Sequence, residues 1–168
     1  MLFRLVCVFL TVMPVVQTFA ATETPGVTAK LLSKTSIEGL YLAVQLDANA
    51  GEAFKSCIFS HRGSETEQEM QQSLRARFDV NELKEIDQFN SSPTGQRYQY
   101  YNLDFFKKSH GVTVANPVKL TAGDVRLLRN FEKTDAGRKY MTFLEDSTPR
   151  PDDPSTLAIQ RIIDSCKK

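Results

Sequence analysis

An all-α fold, six to eight short helices in one domain with two repeated helical hairpins and one disulfide, is the architecture this sequence predicts. Three observations predict it. Helix-capping patterns recur along the chain while strand-like alternation does not, a helix-turn-helix pattern occurs twice, and two cysteines remain once an N-terminal leader is set aside. The composition is that of a globular chain: 168 residues, 41% hydrophobic and 24% charged, with 21 basic against 20 acidic side chains. So even a balance supplies no strong field, and generic attraction to nucleic acid or to an anionic membrane is not expected.

Residues 1–20 read as a secretory signal peptide. Arg4 is an early positive charge, Leu5 to Val16 is almost continuously apolar, and Thr18-Phe19-Ala20 sets small residues at a cleavage site before Ala21. The apolar run is shorter than the roughly 20 residues that a spanning helix needs, and Pro14 interrupts it. The sequence therefore predicts a periplasmic or secreted protein, a single helical domain over residues 21–168, and no membrane span after cleavage. Cys7 and Arg4 leave with the leader, which makes the remaining chain formally neutral.

Export gives the two remaining cysteines, Cys57 and Cys166, an oxidising compartment, and one disulfide between them is the economical pairing. A bridge closing a loop of roughly 110 residues is assigned about 4.7 kcal/mol by chain entropy, less native strain. Two buried thiols, or a catalytic thiol, are the rival reading. With no third cysteine and no nearby histidine to support one, no metal or redox site is predicted.

The capping signals place the helices in order. Thr35-x-x-Glu38 precedes Ile37, Leu40, Tyr41 and Val44, and that helix could run toward Cys57 with Gly51 as a weak point. Ser64-x-x-Glu67 opens a second helix with Met70, Leu74 and Phe78, and Asp79-x-x-Glu82 a third with Leu83, Ile86 and Phe89. Ser92-Pro93 supplies an N-cap and a proline at the first position of a fourth, which Gly111 can end. Thr121-x-x-Asp124 begins a fifth, Thr134 caps a sixth, and Asp153-Pro154 starts the last. Residues 112–119 and 146–153 read as loops, the second because Pro149, Pro151 and Pro154 cannot share one regular element.

The repeat joins these elements. Residues 78–101 align without gaps on residues 120–143, so that Phe89 falls on Phe131, Ser92 on Thr134, Gly95 on Gly137 and Tyr98 on Tyr140. Glu82 matches Asp124, and Arg97 matches Lys139. Each copy encodes a helical hairpin, over residues 78–108 and 120–146, in which the glycine lets the second helix approach the aromatic ring that closes the first. Phe89 and Phe131 are both expected to be buried beside those glycines.

The run Asn81-Glu82-Leu83-x-x-Ile86-x-x-Phe89-x-Ser91-Ser92-Pro93-Thr94-Gly95-Gln96 resembles the pattern E-L-x-x-L-x-x-F-Y-x-S-P-x-G-x-K of the bacterial periplasmic family called domain of unknown function 2059, and the second repeat is a looser copy with Thr134-Asp135 in place of Ser-Pro. Asn90 stands where that pattern has Tyr, and Arg97, one place after Gln96, stands in for its Lys. The resemblance covers residues 27–108 and implies a small exported helical protein. It implies no reaction, because the family brings no catalytic residues with it.

The residues themselves point the same way. No metalloprotease, nucleophile-elbow, phosphate-loop, zinc-knuckle or calcium-loop spacing occurs. His61 and His110 flank helix ends and read as capping or exposed groups, and Glu145, Asp146, Asp152 and Asp153 as residues that solvate the proline loop and cap the last helix. Asn90-Ser91-Ser92 is a glycosylation sequon by coincidence. In the aromatic run, Tyr98, Tyr101 and Phe105 share a helical face that reads as core, while Tyr100, which points away from them, and either Phe106 or a neighbour read as surface aromatics; a helix buried on two sides is the alternative. A non-catalytic binding protein follows, with no cofactor and no metal, its partner-binding centre at Tyr100 and a polar rim of Arg97, Asp104 and Lys107. The partner is a protein, a toxin or an envelope enzyme, and an immunity or inhibitor role is the most concrete form. An envelope protein holding a lipid or other apolar molecule between its helices is the alternative.

Overall fold

Local capping chemistry sets most of the helix boundaries in the computed structural model, which describes residues 24–146 and 150–167. The predicted leader and Thr148-Pro149 lie outside the described residues. Those residues form eight α-helices and no strand: α1 (Val27–Leu46), α2 (Glu52–Ser60), α3 (Glu67–Arg75), α4 (Val80–Ser91), α5 (Pro93–Ser109), α6 (Ala122–Phe131), α7 (Asp135–Glu145) and α8 (Pro154–Cys166). A 3₁₀ turn, Gly63–Glu65, precedes α3. At the start of α4, Asp79 accepts from the amides of Asn81 and Glu82 while the Glu82 carboxylate accepts from the Asp79 amide; Thr121 and Asp124 build the same box on α6. Ser92 and Thr134 each accept, at 3.0 Å, from the amide of the glycine three residues on.

Three boundaries depart from the local signals. The first helix starts at Val27 rather than at Thr35, whose hydroxyl sits mid-helix and donates to the Leu32 carbonyl at 3.0 Å. Its Gly26 cap has no side chain to offer, so the free amides are satisfied across the fold: Gly26 donates to Gln71 of α3 and Thr28 to Asp87 of α4, both at 2.8 Å. The helix also stops at Leu46, and Cys57 belongs to the separate α2. Ser64 lies within the 3₁₀ turn and Thr66 holds the cap position of α3.

The two hairpins, α4–α5 and α6–α7, pack on each other reciprocally. Helix α4 lies against α7 and α5 against α6. Glu82 at the start of α4 pairs with Lys139 of α7, and its repeat equivalent Asp124 of α6 pairs with Arg97 of α5, the equivalent of Lys139. At the centre the equivalent rings of Phe89 and Phe131 stack on each other, centroids 4.0 Å apart and planes within 4°. Exchange of equivalent partners around a self-paired contact is the pattern of an isologous interface, here within one chain. Phe131 is buried as expected, whereas Phe89 is only partly so.

The glycines serve a closer contact than the expected one with the ring. A Cβ on Gly95 would lie 2.2 Å from the Phe89 carbonyl oxygen, and one on Gly137 1.9 Å from that of Phe131. Each hairpin therefore closes backbone on backbone. Around this pair, Ala29, Leu32, Met70, Leu74, Phe78, Ile86, Phe131, Ala136 and Tyr140 form the main core. Tyr140 is fully buried, and its hydroxyl accepts from Asn90 at 2.9 Å and Gln99 at 3.0 Å. Asn90 also donates to Thr28 and is wholly inaccessible, so the sequon cannot carry a glycan in the folded chain.

A second cluster of Ile37, Val44, Ile58 and Ile162 joins α1, α2 and α8. The last helix is held at both ends. At its start Asp153 accepts from the Ser73 hydroxyl at 2.6 Å and pairs with Arg77; at its end Cys166 is bonded to Cys57, with Cα atoms 5.6 Å apart. Of the acidic residues assigned to solvating the loop, Asp153 thus anchors α8 to the end of α3 instead of facing solvent.

Helix propensity and packing make opposite forecasts at two glycines and agree at a third. Gly137→Ala and Gly95→Ala gain about 1 kcal/mol of propensity but drive a methyl into a carbonyl, so each is expected to destabilise by roughly 1–3 kcal/mol in urea denaturation. Gly39→Ala, where the added carbon would meet no atom within 4 Å apart from the adjoining backbone of its own helix, is expected to stabilise by roughly 0.5–1 kcal/mol.

Candidate functional site

The buried face of α5 is set by Thr94, Gly95, Gln99 and Leu103. Residues 95, 99 and 103 are spaced by four, one helical stripe, and Tyr101 lies about 200° round from Gln99 at 100° per residue. The aromatic face expected to be core is thus turned outward in part: Tyr101 is 39% exposed and Phe105 66%, while Tyr98 is half-buried; Phe106, expected at the surface, is 41% exposed. Polarity misled the periodicity. Gln99 is an inward residue because its amide has a buried acceptor in the Tyr140 hydroxyl.

The four residues expected to bind a partner all have intramolecular work. Tyr100 is half-buried, and its hydroxyl accepts from Lys34 Nζ at 2.9 Å while that ammonium lies 5.2 Å from the ring centre. Arg97 holds Asp124 with two hydrogen bonds, Nε to Oδ2 at 3.0 Å among them. Asp104 Oδ2 accepts from the Val118 amide at 2.7 Å and so ties the loop after α5 back to the helix. Lys107 Nζ lies 4.0 Å from a Glu38 carboxylate oxygen on α1. Tyr100 is therefore no protruding anchor, and the three charged residues are braces of α5 more than a free rim. The exposed apolar surface on this helix belongs to Tyr101 and Phe105, one turn apart, and to Phe106, whose ring centre lies 4.3 Å from that of His110.

Electrostatics mark Asp124 as a structural group. The Arg97 guanidinium, the Thr94 hydroxyl and the Thr121 amide all donate to its carboxylate, which holds its pKa well below the usual carboxylate range. Asp153 is displaced in the same direction: burial alone would raise it, but hydrogen bonds from Ser155, Ser73 and Arg77 outweigh that. Burial pushes the Tyr140 phenol up, away from ionisation.

The disulfide corner differs from its sequence reading. His61 caps the C-terminus of α2, and its Nε2 lies 3.6 Å from Cys166 Sγ, so a histidine does stand beside the cysteines. Cys57 Sγ, Cys166 Sγ and a ring nitrogen of His61 all lie within 4.8 Å of one another. Glu65 Oε2 is 2.7 Å from His61 Nδ1, and that hydrogen bond holds the Glu65 pKa below its usual value. A spacing signal existed: Cys57 and His61 are four apart, as are His61 and Glu65. The comparison with known proteins adds no relative to this geometry, since no family model, no curated protein and no solved structure matches the chain.

The depressed Asp124 pKa has a defined sign. Its contribution to stability is complete above the unfolded-state pKa near 3.9 and is lost as pH falls through the lower folded value. Thermal melts against pH should therefore show Asp124→Asn less stable than the parent at neutral pH, with the gap closing as the pH drops below about 4.

Proposed function

We propose that this chain is a non-catalytic exported protein that works by binding a protein partner through the outer face of α5. The observation that carries the reading is the exposure of Phe105, 66% accessible, one turn from the partly exposed Tyr101. Aromatic side chains of this kind, in a setting of charged neighbours, are the residue types that anchor interfaces. The charges lie alongside, in Lys108 and in the braced Asp104 and Lys107. The contacts that hold α5 to α1 and α6 present the ring on a rigid element, which lowers the ordering cost of docking.

The resemblance of residues 81–96 to the periplasmic domain of unknown function 2059 supports export, as do the leader-like residues 1–20 and a disulfide. A toxin or an envelope enzyme is the partner class that a small, neutral, disulfide-clamped helical scaffold suits, with neutralisation or inhibition as its role. An apolar ligand has less support. A groove of about 910 Å³ between α3 and α4 is lined by Arg75, Asp79, Lys84 and Asp87 beside Phe78 and Leu83, which is a poor lining for a lipid tail.

Pull-down from periplasmic extract with the parent, Phe105→Ala and Tyr100→Ala tests the reading and its site. The parent and Tyr100→Ala should retain the same partner, while Phe105→Ala should lose roughly 30-fold or more in affinity, the effect of a hot-spot aromatic near 2 kcal/mol. Turnover of a substrate by the purified protein, or co-purification of a lipid in place of a protein, would contradict it.

A further inference from the structure

The geometry points to a second, redox-dependent state of the disulfide corner: once Cys57 and Cys166 are reduced, their two sulfurs and His61 Nε2 form a binding site for a divalent zinc-type cation. Three ligands are already gathered. Cys57 and His61 project from the C-terminal half and cap of α2, Cys166 comes from the last turn of α8, and the three ligating atoms lie within 4.8 Å of one another. None is deeply buried, so a cation can reach them from solvent.

The distances suit a tetrahedral ion. With Zn–S near 2.3 Å and Zn–N near 2.0–2.1 Å, the sulfur-to-nitrogen edge of such a site is about 3.6 Å, and Cys166 Sγ to His61 Nε2 is 3.6 Å. Two thiols freed from a covalent bond relax to van der Waals separation, roughly 3.7 Å, which is also the sulfur-to-sulfur edge of that tetrahedron. The fourth position is left to water.

The histidine is oriented for the task. An ionised carboxylate only accepts, so in the neutral imidazole Glu65 Oε2 at 2.7 Å selects the tautomer with its hydrogen on Nδ1 and its lone pair on Nε2, the nitrogen that faces Cys166. A carboxylate behind a ligating histidine is the usual second support of a zinc site. The main chain is fixed as well: the Tyr41 hydroxyl donates to the His61 carbonyl, and Arg62 donates to the same carbonyl at 2.7 Å. A solvated cap histidine needs none of this.

The chemistry balances with a dithiol as co-reactant. The dithiol supplies two electrons and two protons and closes to its own disulfide, while the Cys57–Cys166 bond breaks to two thiols. Binding of the cation then forms two metal–sulfur bonds and releases those two protons to solvent. The covalent clamp between α2 and α8 is thereby replaced by a metal clamp between the same two residues.

Anaerobic titration with Co²⁺ as a spectroscopic probe tests the site on the oxidised parent, on the parent reduced with a water-soluble phosphine, and on reduced His61→Ala and Glu65→Gln. The reduced parent should bind one equivalent, with a sulfur-to-cobalt charge-transfer band and intense visible bands of tetrahedral cobalt that Zn²⁺ abolishes. The oxidised parent should show none of this, Glu65→Gln should bind roughly 10–100-fold more weakly, and His61→Ala more weakly still. Absence of the charge-transfer band in the reduced parent, equal binding by the oxidised protein, or a His61→Ala titration matching the parent would each overturn the proposal. Far-UV circular dichroism covers the case in which reduction unfolds the chain. Zn²⁺ must then restore helix to the reduced parent and not to His61→Ala, and failure to do so also overturns it.

Discussion

The rest of the structure depends on the face-to-face contact of Phe89 and Phe131, the ends of α4 and α6, at the point where the two hairpins meet. For the two rings to stack, each hairpin must fold back tightly, and each does so by bringing a glycine onto the carbonyl of its own phenylalanine. With the hairpins so closed, Glu82 reaches Lys139 and Asp124 reaches Arg97, and the faces of α4 and α7 that remain become the wall against which α1, α3 and the turn after α3 bury Ala29, Leu32, Leu74 and Phe78. An apolar stack alone would allow sliding. The reciprocal ion pairs and the Asn90–Tyr140–Gln99 hydrogen bonds set the register, because a shifted packing would leave those buried donors without an acceptor.

Elements whose stabilising partners are local in sequence were legible in it. The boxes at Asp79 and Thr121, the caps at Ser92, Thr134 and Asp153, and the duplication itself rest on contacts within a few residues, and the structure has them all. The cysteine pairing followed from there being two left to pair. The beginning of α1 was not legible, because its free amides are met by Gln71 and Asp87 from other helices. The orientation of α5 failed for a related reason. Gln99 goes inside and Phe105 outside because a buried hydroxyl 41 residues away accepts from the glutamine, a contact no hydrophobic periodicity carries.

The candidate sites follow the same division. The sequence singles out Tyr100 because its direction differs from that of Tyr98, Tyr101 and Phe105, and with that face turned partly outward the most exposed ring of α5 is Phe105. Arg97 and Asp104, read as a rim, brace α5 against α6 and the following loop, so the helix that displays Phe105 is held still. His61 was in sequence reach of Cys57 all along, and the predicted bridge brings Cys166 to the same place; what could not be read was the orientation of the His61 ring, held between Glu65 and Cys166. One end of the molecule thus carries the aromatic surface of α5 and another the cysteine–histidine corner of α2 and α8. They share α1, which packs on both α2 and α5.

A double-mutant cycle on Phe89 and Phe131 tests most directly whether the two hairpins are one reciprocal unit. Urea unfolding of the oxidised parent, Phe89→Leu, Phe131→Leu and the double variant yields the coupling energy of the pair. A stacked pair predicts coupling of about 0.5–1.5 kcal/mol. Additivity to within about 0.3 kcal/mol would mean that the rings are buried independently, and the hairpins would then be neighbours in the fold without being coupled through their centre.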